Sequence, residues 1–336
     1  MSMPSSHPEA ELKARLATLT ALAAIGCAVL VVTAPAALAA EVRYYPVPAG
    51  SQPHDVAAAP DGTVWYTAQR SGQLGILDPK TGRTEHIALG GNSSPHGVIA
   101  GPDGAAWITD SGQNAIVRVD PKTRAVKLFP LPKDTPYANL NTAAFDAKGV
   151  LWYTGQSGYY GSVNPATGDV KVWNAPGGRG PYGIAATPRG DIYYASLAGN
   201  HIAKIDAASG KATIIEPPTR NQGARRVWSD SQGRIWVAEW NSGNLSRYDP
   251  RDRSWKMYKP PADNPRTYSV YVDDRDRVWI TEWTTNAILR FDPEAQQWTR
   301  FPSSEPNPQV RQMLGRPGEA WGAESAHDRL VVVRDQ

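Results

Sequence analysis

Residues 95–129 read PHGVIAGPDGAAWITDSGQNAIVRVDPKTRAVKLF. Pro95 to Ala100 has the pattern of one strand, Ala105 to Thr109 of a second, Ala115 to Asp120 of a third and Val126 to Phe129 of a fourth. Between the first two, Pro102-Asp103-Gly104 supplies the preset and positive φ values that a tight turn demands. The same arrangement returns along the chain. Its aromatic falls at Trp65, Trp107, Trp152, Tyr193, Trp236, Trp279 and Trp321, at spacings of 42, 45, 41, 43, 43 and 42 residues. A second marker keeps step about 13 residues behind it: Asp78-Pro79, Asp120-Pro121, Asn164-Pro165, Asp206-Ala207, Asp249-Pro250, Asp292-Pro293 and Asp335. Seven units of about 42 residues, each of four short antiparallel strands, predict an all-β, seven-bladed β-propeller over residues 40–336. The repeated aromatics then have a packing role between blades.

The seventh unit ends after its third strand, Leu330 to Arg334. The segment Val42 to Pro48 resembles the fourth-strand segment Val126 to Pro132. The N-terminal strand is therefore expected to complete the last blade and so protect the edges that an open sheet exposes.

Residues 1–39 have a different character. Lys13 and Arg15 precede an apolar run from Leu16 to Val32, and Ala37-Leu38-Ala39 forms an A-x-A site. This predicts a signal peptide cleaved after Ala39 and a periplasmic or secreted protein. An uncleaved anchor is the alternative, since the run approaches the roughly 18–20 residues that span a bilayer. The one cysteine, Cys27, lies in this run, so the mature chain has no disulfide and no thiol nucleophile. Removing the segment takes away Lys13, Arg15, Glu9 and Glu11, and the net charge stays at +3. The basic residues form no run, which argues against nucleic acid as a partner. A monomer acting on a small-molecule ligand, without stable membrane association, is expected.

Equivalent positions of a propeller form rings about its axis, so a site is read by comparing blades. Eleven residues before the aromatics stand His54, His96, Asn141, Tyr182, Arg225 and Tyr268, and a one-residue gap in the last blade brings Arg311 into the same place. All seven can hydrogen-bond. Three residues after the aromatics stand Asp110, Glu239, Glu282 and Glu324, alongside Ala68, Gly155 and Ser196. Those carboxylates suit either ion pairs with Arg225 and Arg311 or a hard divalent cation, Mg²⁺ or Ca²⁺. Trp240 and Trp283 follow two of the Glu residues and are candidates for stacking on a ligand or for packing between loops. Phosphate-binding loops, the zinc signature H-E-x-x-H and paired cysteines do not occur. His86, His201 and His327 are expected at the surface.

In Pro95-His96-Gly97-Val98, Pro181-Tyr182-Gly183-Ile184, Ile280-Thr281-Glu282-Trp283 and Asn286-Ala287-Ile288-Leu289-Arg290 the chain resembles the streptogramin B lyase (virginiamycin B lyase) family. The resemblance spans all seven units. It implies a metal-assisted carbon–oxygen lyase that opens a cyclic ester by elimination: a His takes the proton α to the carbonyl while Mg²⁺ held by two Glu steadies the enolate. Carried over position by position, one metal Glu matches Glu324, and the other falls on Pro308 or Gln309. The catalytic His falls on Arg311 or Val310. A substrate-contacting His falls on Tyr268, and a first-blade Tyr on His54. A base for the same reaction would then come from His54 or His96, with Asn141, Tyr182, Arg225, Tyr268 and Arg311 contacting substrate and Glu282, Glu324, Glu239 and Asp110 available to a metal. Two other readings stay open: a metal-dependent lactonase of the gluconolactonase type, using Asn141 and Glu239, and a non-catalytic propeller that captures an anionic or carbohydrate-like ligand through its Arg and Tyr residues.

Overall fold

The computed structural model describes Met1 and residues 40–335; the expected signal segment, Met1 apart, lies outside the described residues. Twenty-eight strands make seven four-stranded antiparallel sheets, one per sequence unit. The inner strands are Pro53–Ala58, Pro95–Ala100, Leu140–Phe145, Pro181–Ala186, Ala224–Ser229, Thr267–Val272 and Val310–Arg316, and each touches the inner strands of its two neighbours. Blade seven is completed by Glu41–Pro46, which pairs with Arg329–Arg334 in the register Glu41↔Arg334 to Pro46↔Arg329. The ring is closed as the two ends of the repeat require.

Both sequence markers have visible structural work. Five of the seven repeated rings lie beneath an aromatic of the outermost strand of their own sheet: Trp107 on Phe129 (5.4 Å between centroids), Trp152 on Trp173 (5.6 Å), Trp236 on Tyr258 (5.6 Å), Trp279 on Phe301 (5.6 Å) and Trp321 on Tyr45 (5.4 Å). Four of the indole N–H groups donate to a carboxylate in the preceding turn: Asp103 for Trp107, Asp146 for Trp152, Asp230 for Trp236, Asp273 for Trp279. In those four blades the ring contributes apolar burial without leaving a buried donor unpaired, whereas Trp65 Nε1 in blade one is buried with no partner among the described residues. The Asp or Asn marker accepts from the backbone N–H two residues on, as Asp78 does from Lys80 and Asn164 from Ala166, and so builds the turn between the outer strands.

Two features aim residues at the axis. Every inner strand shifts register just after its first residue, for example between Pro53 and Val56 and between Thr267 and Val270. Such a bulge re-aims the side chains beside it. A threonine hydroxyl then staples one blade to the next. Thr67 Oγ1 accepts from Asp55 N (3.0 Å) and donates to His96 O (2.8 Å), and Thr109 Oγ1 accepts from Gly97 N (2.9 Å) and donates to Asn141 O (2.5 Å).

Candidate functional site

All seven residues of the first ring are the second residue of an inner strand. His54 and His96 lie with ring centroids 4.0 Å apart, and Tyr182 is set edge-on to His96 at 6.4 Å. Tyr182 and Tyr268 share a 2.6 Å hydrogen bond between hydroxyls across the axis. His54, His96, Asn141, Tyr182 and Tyr268 are buried, none more than 6% exposed, so the ring residues fill this end of the axis with their own side chains. Arg225 and Arg311 are half-buried.

A second ring, which the sequence reading passed over, occupies the next position of each strand: Asp55, Gly97, Thr142, Gly183, Arg226, Ser269 and Gln312. Arg226 reaches across the axis to Asp55 Oδ1 (3.2 Å) and Oδ2 (3.3 Å) and donates to Thr142 Oγ1 at 2.6 Å. Asp55 Oδ1 also accepts from His54 Nδ1 at 2.8 Å. Gln312 Oε1 accepts from Val56 N, and Ser269 Oγ from Met313 N. The two glycines make room: a Cβ on Gly183 would stand 2.6 Å from Arg226 Cα, and one on Gly97 2.6 Å from Asn141 O. The signal available was the run of polar residues at the third position of otherwise apolar strands, doubled visibly in Arg225-Arg226.

The charges around this centre are mostly positive. Burial pulls His54 well below the usual histidine range, and Arg311, Arg226 and Arg225 pull the same way. His96 is lowered by burial and by His54. Both imidazoles are therefore neutral at pH 7. Burial pushes the Tyr182 phenol up, but Arg225, Arg226 and the Tyr268 hydrogen bond outweigh it and leave Tyr182 below the usual tyrosine value, while burial and Tyr182 raise Tyr268. Arg225 lies 3.5 Å from the Tyr268 ring centroid, 4.6 Å from Trp240 and 4.9 Å from Tyr182, and donates to Tyr182 Oη at 3.2 Å. Trp283 stacks on Tyr268 at 4.9 Å and donates to Val310 O, with Arg311 over its ring at 5.5 Å. Trp240 and Trp283 thus pack against the mouth residues and each other, and both remain half-exposed.

The four carboxylates sit at the ends of second strands, buried, with their oxygens held by the adjoining strands and by the segments that join neighbouring blades. Asp110 accepts from Ser94 N, Gln113 N and Ser93 Oγ. Glu239 accepts from Gln222, Ser242 and Ser246, and burial pushes it up. Glu282 accepts from Arg266 N, Thr284 N and Thr285 N. Glu324 accepts from Ser303 Oγ (2.8 Å) and from Arg329, its ion-pair partner. These oxygens are all held by donors of the protein itself, and among the described residues the one group of three His or carboxylate side chains close enough to share an ion is His54, Asp55 and His96. Arg226 already holds that aspartate, and a cation there would face its guanidinium. The side chains present do not fit a hard divalent ion shared by Asp110, Glu239, Glu282 and Glu324. Nor does Glu239 meet Asn141, whose amide bonds His96 Nε2 (3.2 Å) and Thr142 Oγ1 (2.7 Å).

Among the remaining histidines, His201 departs from expectation. It is buried in the third strand of blade four, with Nδ1 3.0 Å from Gly199 O, because that strand is covered on both sides. His86 is half-buried against Tyr66 Oη, and His327, at the end of the short 3-10 helix Ser325–His327, contacts Pro306 O.

The fold is a closed seven-bladed propeller, and each inner strand brings a polar side chain to the ring around its axis. Residues 32–259 match the model of the virginiamycin B lyase family, and the chain belongs to that family. Its fold is similar to virginiamycin B lyase from Staphylococcus aureus (TM-score 0.81, 18% identity, covering 88% of this chain and 99% of that one). It is equally similar to a streptogramin B lyase (0.81, 20%, 88% and 98%), and to a catalytically inactive virginiamycin B lyase from Staphylococcus aureus with quinupristin (0.80, 19%, 88% and 99%). No curated protein sequence matches the chain.

Proposed function

We propose that this is an exported carbon–oxygen lyase that opens a small cyclic or ester ligand at the axial mouth, with arginines doing what a metal does in the elimination that the family's name implies. The observation that carries the reading is the line Arg226–Asp55–His54 beside Arg225. Asp55 fixes the His54 proton on Nδ1 and leaves Nε2 as a neutral base, the arrangement that general-base catalysis requires. In the proposed step His54 Nε2 takes the proton α to the ligand carbonyl. The C–H electron pair forms the new C=C bond and the C–O bond breaks, so the oxygen leaves as a carboxylate. Arg225 and Arg311 meet the charge that develops on the carbonyl oxygen, and the proton on His54 passes to water.

The test is incubation of the protein with quinupristin and with simpler β-acyloxy esters, followed by mass spectrometry. Elimination within a ring leaves the mass unchanged and creates a double bond, and His54→Gln should abolish it. A product heavier by one water would mean hydrolysis and overturn the reading in favour of a lactonase. A second reading, a binding propeller, is favoured by the close packing of His54, Tyr182 and Tyr268 across the axis. Ligand binding with no turnover of any ester would establish it instead.

A further inference from the structure

Three buried nitrogens at the axial mouth have no hydrogen-bond partner among the described residues: His96 Nδ1, Arg225 Nε and Arg226 Nε. The two arginine nitrogens can only donate. Both are therefore unpaired donors, beside a His96 Nδ1 whose role follows the ring tautomer, and buried donors without acceptors are rare in folded proteins.

They stand around one side chain. Arg225 Cζ lies 4.9 Å, Arg226 Cζ 5.3 Å and the His96 ring 6.4 Å from the centre of the Tyr182 ring. Asp55 is the one carboxylate in the two rings, and both of its oxygens already accept from Arg226. The mouth thus has an excess of positive charge and of N–H groups, bordered by the half-exposed indoles Trp240 and Trp283.

We propose that the ligand of the axial mouth carries a carboxylate on a flat apolar group. The carboxylate accepts from the Arg225 side of this donor set, and the flat group lies against Trp240 and Trp283, which gives it a face to stack on. This rests on the placement of the ligand site in the preceding section, but it does not require that chemistry follow binding.

The experiment is calorimetric titration of the full chain, in low-chloride buffer at pH 7, with benzoate, benzamide and acetate. Benzoate is expected to bind most tightly, benzamide, which has the same shape without the charge, about tenfold or more weakly, and acetate weakly for want of the ring. Arg225→Lys keeps a positive charge but removes the Nε–H, and should weaken benzoate about tenfold. Trp283→Leu should reduce the benzoate preference over acetate and provides a second arm should Arg225→Lys fail to fold. Equal affinity for benzoate and benzamide, or benzoate binding unchanged in both variants, overturns the inference. The two readings fail separately. Benzoate binding with no turnover of any ester leaves the anion site standing and removes the lyase, whereas turnover of a neutral ester that benzoate does not inhibit leaves the lyase and removes the anion site.

Discussion

Replacing Arg226 with methionine should destabilise the protein more than any surface change, and the structure gives the size. The guanidinium is 3% exposed, and it holds both oxygens of Asp55, itself 1% exposed, together with Thr142. Removing one member of a buried ion pair leaves the other charge uncompensated and costs about 3–5 kcal/mol. For a domain of this length that corresponds to a fall in Tm of roughly 5–8 °C. Asp55→Asn combined with Arg226→Met removes both charges at once and should recover more than half of the loss, since a neutral replacement of the whole pair is far less harmful than half of it. The pH dependence has a definite sign. Burial already raises the Asp55 carboxyl, opposed by Arg226. Without Arg226 its folded value rises further above the unfolded one, so protonation stabilises the variant at low pH and this help is lost as pH rises through the folded value. The deficit relative to wild type should therefore be larger at pH 8 than at pH 5, as measured by urea unfolding followed through tryptophan fluorescence. A loss below about 1 kcal/mol, or a double variant no better than the sum of the singles, would refute the account of the pair.

Spectroscopic titration at 295 nm should find in wild type one tyrosine that ionises before the others, and Tyr182→Phe should remove that step; superimposable curves would mean that Arg225 and Arg226 do not favour the phenolate. Deleting residues 40–48 strips the outer strand from blade seven, uncovers Trp321 by taking Tyr45 away, and leaves Leu330–Arg334 with an open edge. A sharply lowered Tm with new proteolytic cleavage in blade seven is expected, and an unchanged melting curve would show that the ring does not depend on its closing strand.

The architecture was readable because two physically independent requirements, a ring to bury and a turn to build, recur at one period. Trp107 with Asp120 is as plain in the sequence as in the fold. The first ring was also readable, since bulges set the second residue of every inner strand toward the axis and the count from the aromatic locates it. The partners of those residues were not. Arg226 to Asp55 joins blade five to blade one across the axis, and no periodicity within one unit predicts which opposite blade a long side chain will reach. The carboxylates mislead for a related reason. Glu282 lies at a repeat-equivalent position, but its oxygens are consumed by the N–H groups of Arg266, Thr284 and Thr285, and loop backbone donors leave no trace in a sequence. Strand limits moved little: the second strand of blade two runs Ala106–Asp110, one residue later than its apolar pattern suggests.

The pairing of Glu41–Pro46 with Arg329–Arg334 also imposes an order of events on synthesis. As the chain emerges, the first strand of the propeller has no partner until Arg329–Arg334 has been made, so each blade before the seventh must hold together without the latch. Contacts between segments so far apart in sequence form late and slowly, and meanwhile an unpaired strand waits at one end and an unfinished blade at the other. A nascent chain halted a few residues short of Arg329 would carry both, and would be far more prone to pair with its neighbours than the finished ring.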